Sequence, residues 1–100
     1  MRYFKLREIC EELQVGDDLI ATLASEGLVE VKHTGEDEAV ISAPEADKLR
    51  VITILMREMD VNLAGVEVIL HMRDDLRSMQ SQFDEILHTL VTELQRRLRP

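Results

Sequence analysis

Apolar residues in the first part of the chain recur at short helical spacings. Leu6, Ile9, Cys10 and Leu13 stand at i, i+3, i+4 and i+7, which predicts a helix from Lys5 to about Leu13. Gln14-Val15-Gly16 follows as a tight turn. Asp17 and Asp18 then occupy N-cap and first-turn places, where carboxylates meet unpaired N–H groups and the positive end of the helix dipole. A second helix runs to about Glu26 with Leu19, Ile20 and Leu23 facing inward, and Gly27 supplies a left-handed C-terminal residue. Two helices joined by so short a turn form a helix–turn–helix.

The period then shortens to two. Val29 and Val31 alternate with polar neighbours, Val40 and Ile41 supply β-branched residues, and Thr34-Gly35-Glu36-Asp37 between them has turn composition. That pattern predicts a β-hairpin, the wing of a winged helix. Ser42 and Glu45 have capping-box spacing, and Pro44 falls in a first turn where its missing N–H costs nothing. The helix they open carries Leu49, Ile52, Leu55, Met56 and Met59 as its stripe. Asp60-Val61-Asn62 interrupts it, and Asn62 is placed to cap the next element.

From Leu63 to Leu98 there is no proline and only Gly65. Ile69, Met72, Leu76, Met79, Phe83, Ile86 and Leu90 alternate spacings of three and four, and Leu87, Leu94 and Leu98 extend the stripe on a drifting face. Unbroken, ~35 residues rising ~1.5 Å each make a helix of ~50 Å. A bend near Met72–Asp75 would instead let a shorter helix fold back on the winged domain. In either case the far half lacks a partner within its own chain, and a stripe of this period predicts a coiled-coil-like homodimer sealed by those seven residues. The expected fold class is thus mainly α: a winged helix–turn–helix domain over residues 1–60 and a helical dimerisation or interaction segment over 61–100.

Charge changes the picture. The net charge is −8. Residues 1–47 hold four basic side chains (Arg2, Lys5, Arg7, Lys32) and twelve acidic ones, so this half sums to −8. Residues 48–100 hold eight of each sign and sum to zero. Between Arg7 and Lys32, across the whole second helix, there is no Lys or Arg. Nucleic-acid affinity comes mostly from Lys and Arg neutralising phosphates, about one charge per ~1.7 Å of duplex axis. Asp17, Asp18 and Glu26 on the second helix, with Glu36, Asp37 and Glu38 in the hairpin, would repel a duplex, and Lys32 and His33 do not offset them.

Helix–turn–helix, hairpin, helix and long terminal helix together resemble the MerR family of regulators. The family pattern G-V-S-x-R-T-L-R-Y-Y-E-x-x-G-L-L falls on Gln14 to Val29. The framework positions Val15, Ile20, Gly27, Leu28 and Val29 match, while the two arginines that contact DNA fall on Asp18 and Ala21 and the tyrosine pair on Thr22 and Leu23. The wing pattern G-Y-R-x-Y-S falls on Asp37-Glu38-Ala39-Val40-Ile41-Ser42, so its arginine is Ala39. Val61-Asn62-Leu63-Ala64-Gly65-Val66 is similar to a segment of the heat-shock repressor HspR. The better overall match is the CbpM chaperone-modulator family, through G-[IV]-x-V-x-L-x-x-x-D-D-[IL]. That motif stands here as Gly65-Val66-Glu67-Val68-Ile69-Leu70-His71-Met72-Arg73-Asp74-Asp75-Leu76, with Ile69 departing from it.

That resemblance implies a non-enzymatic protein that binds the J-domain of a DnaJ-like, CbpA-like co-chaperone and blocks its work with Hsp70. J-domains are typically basic where they meet Hsp70, so an acidic surface would favour encounter. The expected partner contacts are Asp74, Asp75 and Glu67, with Asp17, Asp18 and Glu26; each is also explained as a solvated helix face or, for Asp17 and Asp18, as capping. The alternatives are a MerR-family DNA-binding transcriptional regulator and a winged-helix adaptor for another basic protein.

Other chemistry is poorly supplied. Cys10 is the single cysteine and sits on an apolar helical face, so a buried structural thiol is expected. His33, His71 and His88 have no ligand spacing, and Asp74-Asp75 has no nucleophile beside it. No catalytic residue, metal or cofactor is expected. The chain shows neither an apolar run of membrane-spanning length nor a secretory h-region, and a cytoplasmic location is expected.

Overall fold

The computed structural model describes residues 1–99, arranged as β1 (Tyr3–Lys5), α1 (Leu6–Leu13), α2 (Asp17–Ser25), β2 (Lys32–His33), β3 (Ala39–Ser42), α3 (Ala43–Arg57) and α4 (Leu63–Leu98). Two compact units divide the chain, Met1–Val66 and the segment from Glu67 onward.

The helix–turn–helix forms as the apolar spacing predicts. Gln14 ends α1 in a left-handed conformation (φ 55°), and its N–H returns to the Cys10 and Glu11 carbonyls. The N-cap of α2 is Gly16 rather than Asp17. Gly16 is extended and its carbonyl accepts the Ile20 N–H (3.4 Å), so Asp17 becomes the first helical residue and neither Asp caps through its side chain. Both carboxylates still lie in the first turn, where the dipole favours them. Gly27 takes φ 75° after α2, and Leu28 N–H reaches back to the Leu23 carbonyl (2.9 Å).

The wing is part of a three-stranded antiparallel sheet in the order β1-β3-β2. Phe4 pairs with Ile41 and Lys32 with Val40. β1 escapes sequence reading because three residues carry no period, and only pairing with β3 nearly forty positions away makes them a strand. Val29 and Val31, expected in the hairpin, precede it. Glu30 gives its N–H to the Glu45 carboxylate (2.8 Å), and Leu28 and Val29 are buried as loop residues. The wing tip is tied by Thr34, whose hydroxyl accepts the Glu36 and Glu38 N–H groups (3.3 and 3.2 Å).

Ser42 caps α3 by accepting the Glu45 N–H (3.3 Å). The reciprocal half of the box is missing, because the Glu45 carboxylate serves Glu30 and pairs with Lys48 (2.9 Å). Leu49, Ile52 and Leu55 are buried as expected, but Met59 is 62% exposed. The helix has already ended at Arg57, and Asp60 (φ 55°) turns the chain away, with Val61 N–H closing on the Leu55 carbonyl (2.9 Å). Asn62 then caps α4 through its side-chain oxygen, which accepts the Gly65 N–H (2.8 Å). A Cβ on Gly65 would stand 2.8 Å from Val61 Cγ1, which explains the glycine there.

Leu23, Ile41, Leu49, Ile52 and Val66 centre the core of the first unit, each fully buried. One contact from α3 fastens the helix–turn–helix to it: the Arg57 guanidinium donates to the Leu13 and Gln14 carbonyls at the end of α1. Arg57→Ala removes both donors and is expected to cost about 1–3 kcal/mol in urea unfolding; an unchanged midpoint would mean that water replaces the guanidinium at no cost.

Candidate interaction surfaces

α4 runs unbroken from Leu63 to Leu98. Beyond the first unit it carries a row of exposed apolar side chains. Ile69 is 36% exposed, while Met72, Leu76, Met79, Phe83, Ile86 and Leu90 range from 55% to 64%. Val68, Leu87, Val91, Leu94 and Leu98 are exposed as well. Val68 and Val91 were not singled out by spacing; with Leu87, Leu94 and Leu98, Val91 broadens the apolar face toward the C-terminal end. Contiguous exposed apolar surface of this extent is unusual on a monomeric soluble protein, which makes this face a candidate for an interaction.

The acidic candidates divide between the units. Glu67, Asp74 and Asp75 are exposed on α4. At 3.6 residues per turn, Glu67 and Asp74 share the face opposite the apolar row, while Asp75 turns toward the row's flank. Apolar and acidic functions therefore occupy different sides of one helix. Asp17 and Asp18 open α2 and Glu26 follows its last residue. All three are exposed, but at ~1.5 Å per residue Glu26 stands ~12 Å along the helix from the pair, so they do not form one cluster.

The outward side of α2 is open and uncharged by any base. Asp18 and Ala21 are exposed, whereas Leu23, at the second tyrosine position of the MerR pattern, is a core residue. Hydroxyls on this surface serve the helix itself: Thr22 donates to the Asp18 carbonyl (3.0 Å) and Ser25 to that of Thr22 (2.8 Å). Three of the four bases in the first 47 residues have intramolecular partners. Lys5 pairs with Glu38 (3.6 Å), Lys32 with Glu30 (3.9 Å), and Arg2 lies over the Phe4 ring (4.9 Å).

A groove of about 560 Å³ runs beside α1 and the wing, lined by Leu6, Cys10, Val15 and Ala39 with Glu11, Asp17 and Glu38 among its polar residues. Cys10 is thus partly exposed rather than buried, because it lines this groove with Leu6 while its neighbour Ile9 turns into the core. Burial, and then the neighbouring Asp17 carboxylate, push its thiol pKa up, so it is held as the poorly nucleophilic thiol. Among the described residues no His, Cys, Asp and Glu side chains gather as a metal site, and no helix is long and apolar enough to cross a membrane.

A helix–turn–helix followed by a short wing, a third helix and a long terminal helix defines a winged-helix protein of the regulatory kind. The chain belongs to the MerR HTH regulatory family, whose family model matches residues 4–88. No curated protein matches it. Membership in a family of regulatory proteins accords with a regulator rather than an enzyme.

Proposed function

We propose that this protein is a non-enzymatic interaction module of the CbpM type, a homodimer through α4 that binds the J-domain of a DnaJ-like co-chaperone and blocks it by occupying its basic face. The observation that carries this reading is the α2 surface. It is exposed, acidic and without a single Lys or Arg, so the surface that would meet DNA in a MerR regulator favours a partner of positive charge. Glu67 and Asp74 add a second acidic face on α4, on the side that dimerisation leaves free, with Asp75 between that face and the apolar row.

Asp74→Lys with Asp75→Lys is expected to weaken binding to a J-domain at least ~10-fold in a titration, mainly through the association rate and most strongly at low salt. Unchanged affinity would move the contact off this face. The second reading, a DNA-binding regulator, is favoured by the family match and by the intact helix–turn–helix and wing. It requires duplex affinity that falls steeply with salt. No retention of duplex DNA at ~50 mM salt is the result expected here; measurable binding would favour the regulator.

A further inference from the structure

The groove of about 560 Å³ beside α1 and the wing holds apolar side chains that the core does not use. Leu6, Cys10 and Ala39 are only half-buried along it, whereas Val15, which also lines it, is a core residue. Its walls are fixed before anything enters. On the α1 side, the Val15 N–H donates to the Cys10 carbonyl (2.9 Å), and Arg57 clasps the Leu13 and Gln14 carbonyls. On the wing side, the Thr34 N–H closes on the Glu38 carbonyl (2.9 Å), and the Lys5–Glu38 pair (3.6 Å) ties the wing to β1. A cleft whose walls already stand loses little freedom on binding, and this one lies within the ~300–1,000 Å³ of ordinary ligand clefts.

Charge on the rim is sorted along the groove. Lys5 and Glu38 answer each other at one end. Of the remaining charges, Arg7 stands in the first turn of α1, Glu11 one turn (~6 Å) further on, and Asp17 opens α2. Neither Glu11 nor Asp17 has an ion-pair partner among the described residues. Asp17 is close enough to Cys10 to help push its thiol pKa up, so a carboxylate borders the apolar lining.

Resting on the reading of this protein as a module for a basic partner, we propose that the groove is where that partner anchors. An apolar side chain of the partner enters over Leu6 and Cys10, and a Lys or Arg of the same segment meets Glu11 and Asp17. The two contacts do different work. A desolvated apolar anchor supplies most of the affinity, while the acids beside it speed encounter and select the partner. They also orient it, because the segment must lie with its base toward α2 and away from Arg7. Asp17 belongs both to the groove and to the first turn of α2, so the anchor continues the acidic α2 surface instead of competing with it. An acidic peptide is refused by the same two carboxylates.

Cys10 is the only cysteine, so the groove can be labelled selectively. N-ethylmaleimide at about pH 8.5, near the ordinary thiol pKa, reports access to it. Saturating the chain with a J-domain is expected to slow labelling at least ~10-fold, and the labelled chain is expected to bind the J-domain at least ~10-fold more weakly. Glu11→Lys, at an exposed position, tests the rim without filling the groove and is expected to weaken binding ~5-fold. Glu8→Lys makes the same charge change on another face of α1 and is expected to stay within ~2-fold. Unslowed labelling in the saturated complex, or equal losses in the two lysine variants, would overturn the groove as the anchor while J-domain binding itself stands. No J-domain binding by the unmodified chain would remove the reading on which the anchor rests, and the anchor with it.

Discussion

Leu49→Ala is expected to lower the stability of the N-terminal unit by about 2–5 kcal/mol, the range for removing a buried leucine side chain down to its Cβ. Leu49 is fully buried on α3, one turn from Ala46 and Ile52, in the same core as Leu23, Ile41 and Val66. At the usual ~0.05–0.15 kcal/mol per residue, a unit of this length has only roughly 3–10 kcal/mol in all. The substitution therefore removes a large share and is expected to leave a sizeable unfolded population at 37 °C. Ile54→Ala on the same helix is the internal control. Ile54 is 48% exposed, so its truncation is expected to stay within about 0.5 kcal/mol. Urea unfolding at one fixed protein concentration measures both, with equal slopes for the two variants. Equal midpoints would mean that the core does not lie under Leu49.

Why Leu49 and its neighbours could be placed from sequence, and other features could not, follows from the range of the interactions. Helical periods are local: Leu6, Ile9 and Leu13 reveal α1, and Leu49, Ile52 and Leu55 reveal α3, because residues three and four apart meet on one face. Caps are local too, and Ser42, Gly27 and Asn62 perform as their identities predict. Tyr3-Phe4-Lys5 is a strand only because Val40-Ile41-Ser42 lies beside it, a pairing that no short window contains. The Arg57 clasp on α1 spans more than forty residues and leaves no mark on the local pattern. Gly16 displaced Asp17 as N-cap by one residue, which is within the play of a helix end. The surfaces were legible in a different way. The alternation of three and four from Ile69 to Leu90 identified a face, and exposure along that row agrees with it. The acidic candidates rest on charge and on the motif from Gly65 to Leu76, and charge does not distinguish the Glu67–Asp74 face of α4 from the two ends of α2.

Phe83→Asp is expected to abolish the dimer and, with it, much of the helix beyond the first unit. In a dimer sealed by the apolar row of α4, Phe83 lies within that row and occurs once in each copy, so the variant would bury two carboxylates in an apolar seam. A buried, unpaired charge costs several kcal/mol, enough to weaken association by more than ~100-fold. Consequences for the helix follow from its packing. The segment from Glu67 on holds apolar side chains in solvent, and helices of this kind draw most of their stability from a packed face rather than from intrinsic propensity. Its ion pairs, Arg96 and Arg97 with Glu93 (3.5 and 3.0 Å), are exposed i,i+3 and i,i+4 contacts that add only a few tenths of a kcal/mol. The variant should therefore sediment as a monomer and lose helical ellipticity at 222 nm, while the N-terminal unit keeps its own cooperative unfolding transition. Glu85→Gln, which lies away from the apolar rows, should do neither. If Phe83→Asp remained dimeric with full helicity, the apolar row of α4 would not be the dimer seam, and its exposure would need another occupant.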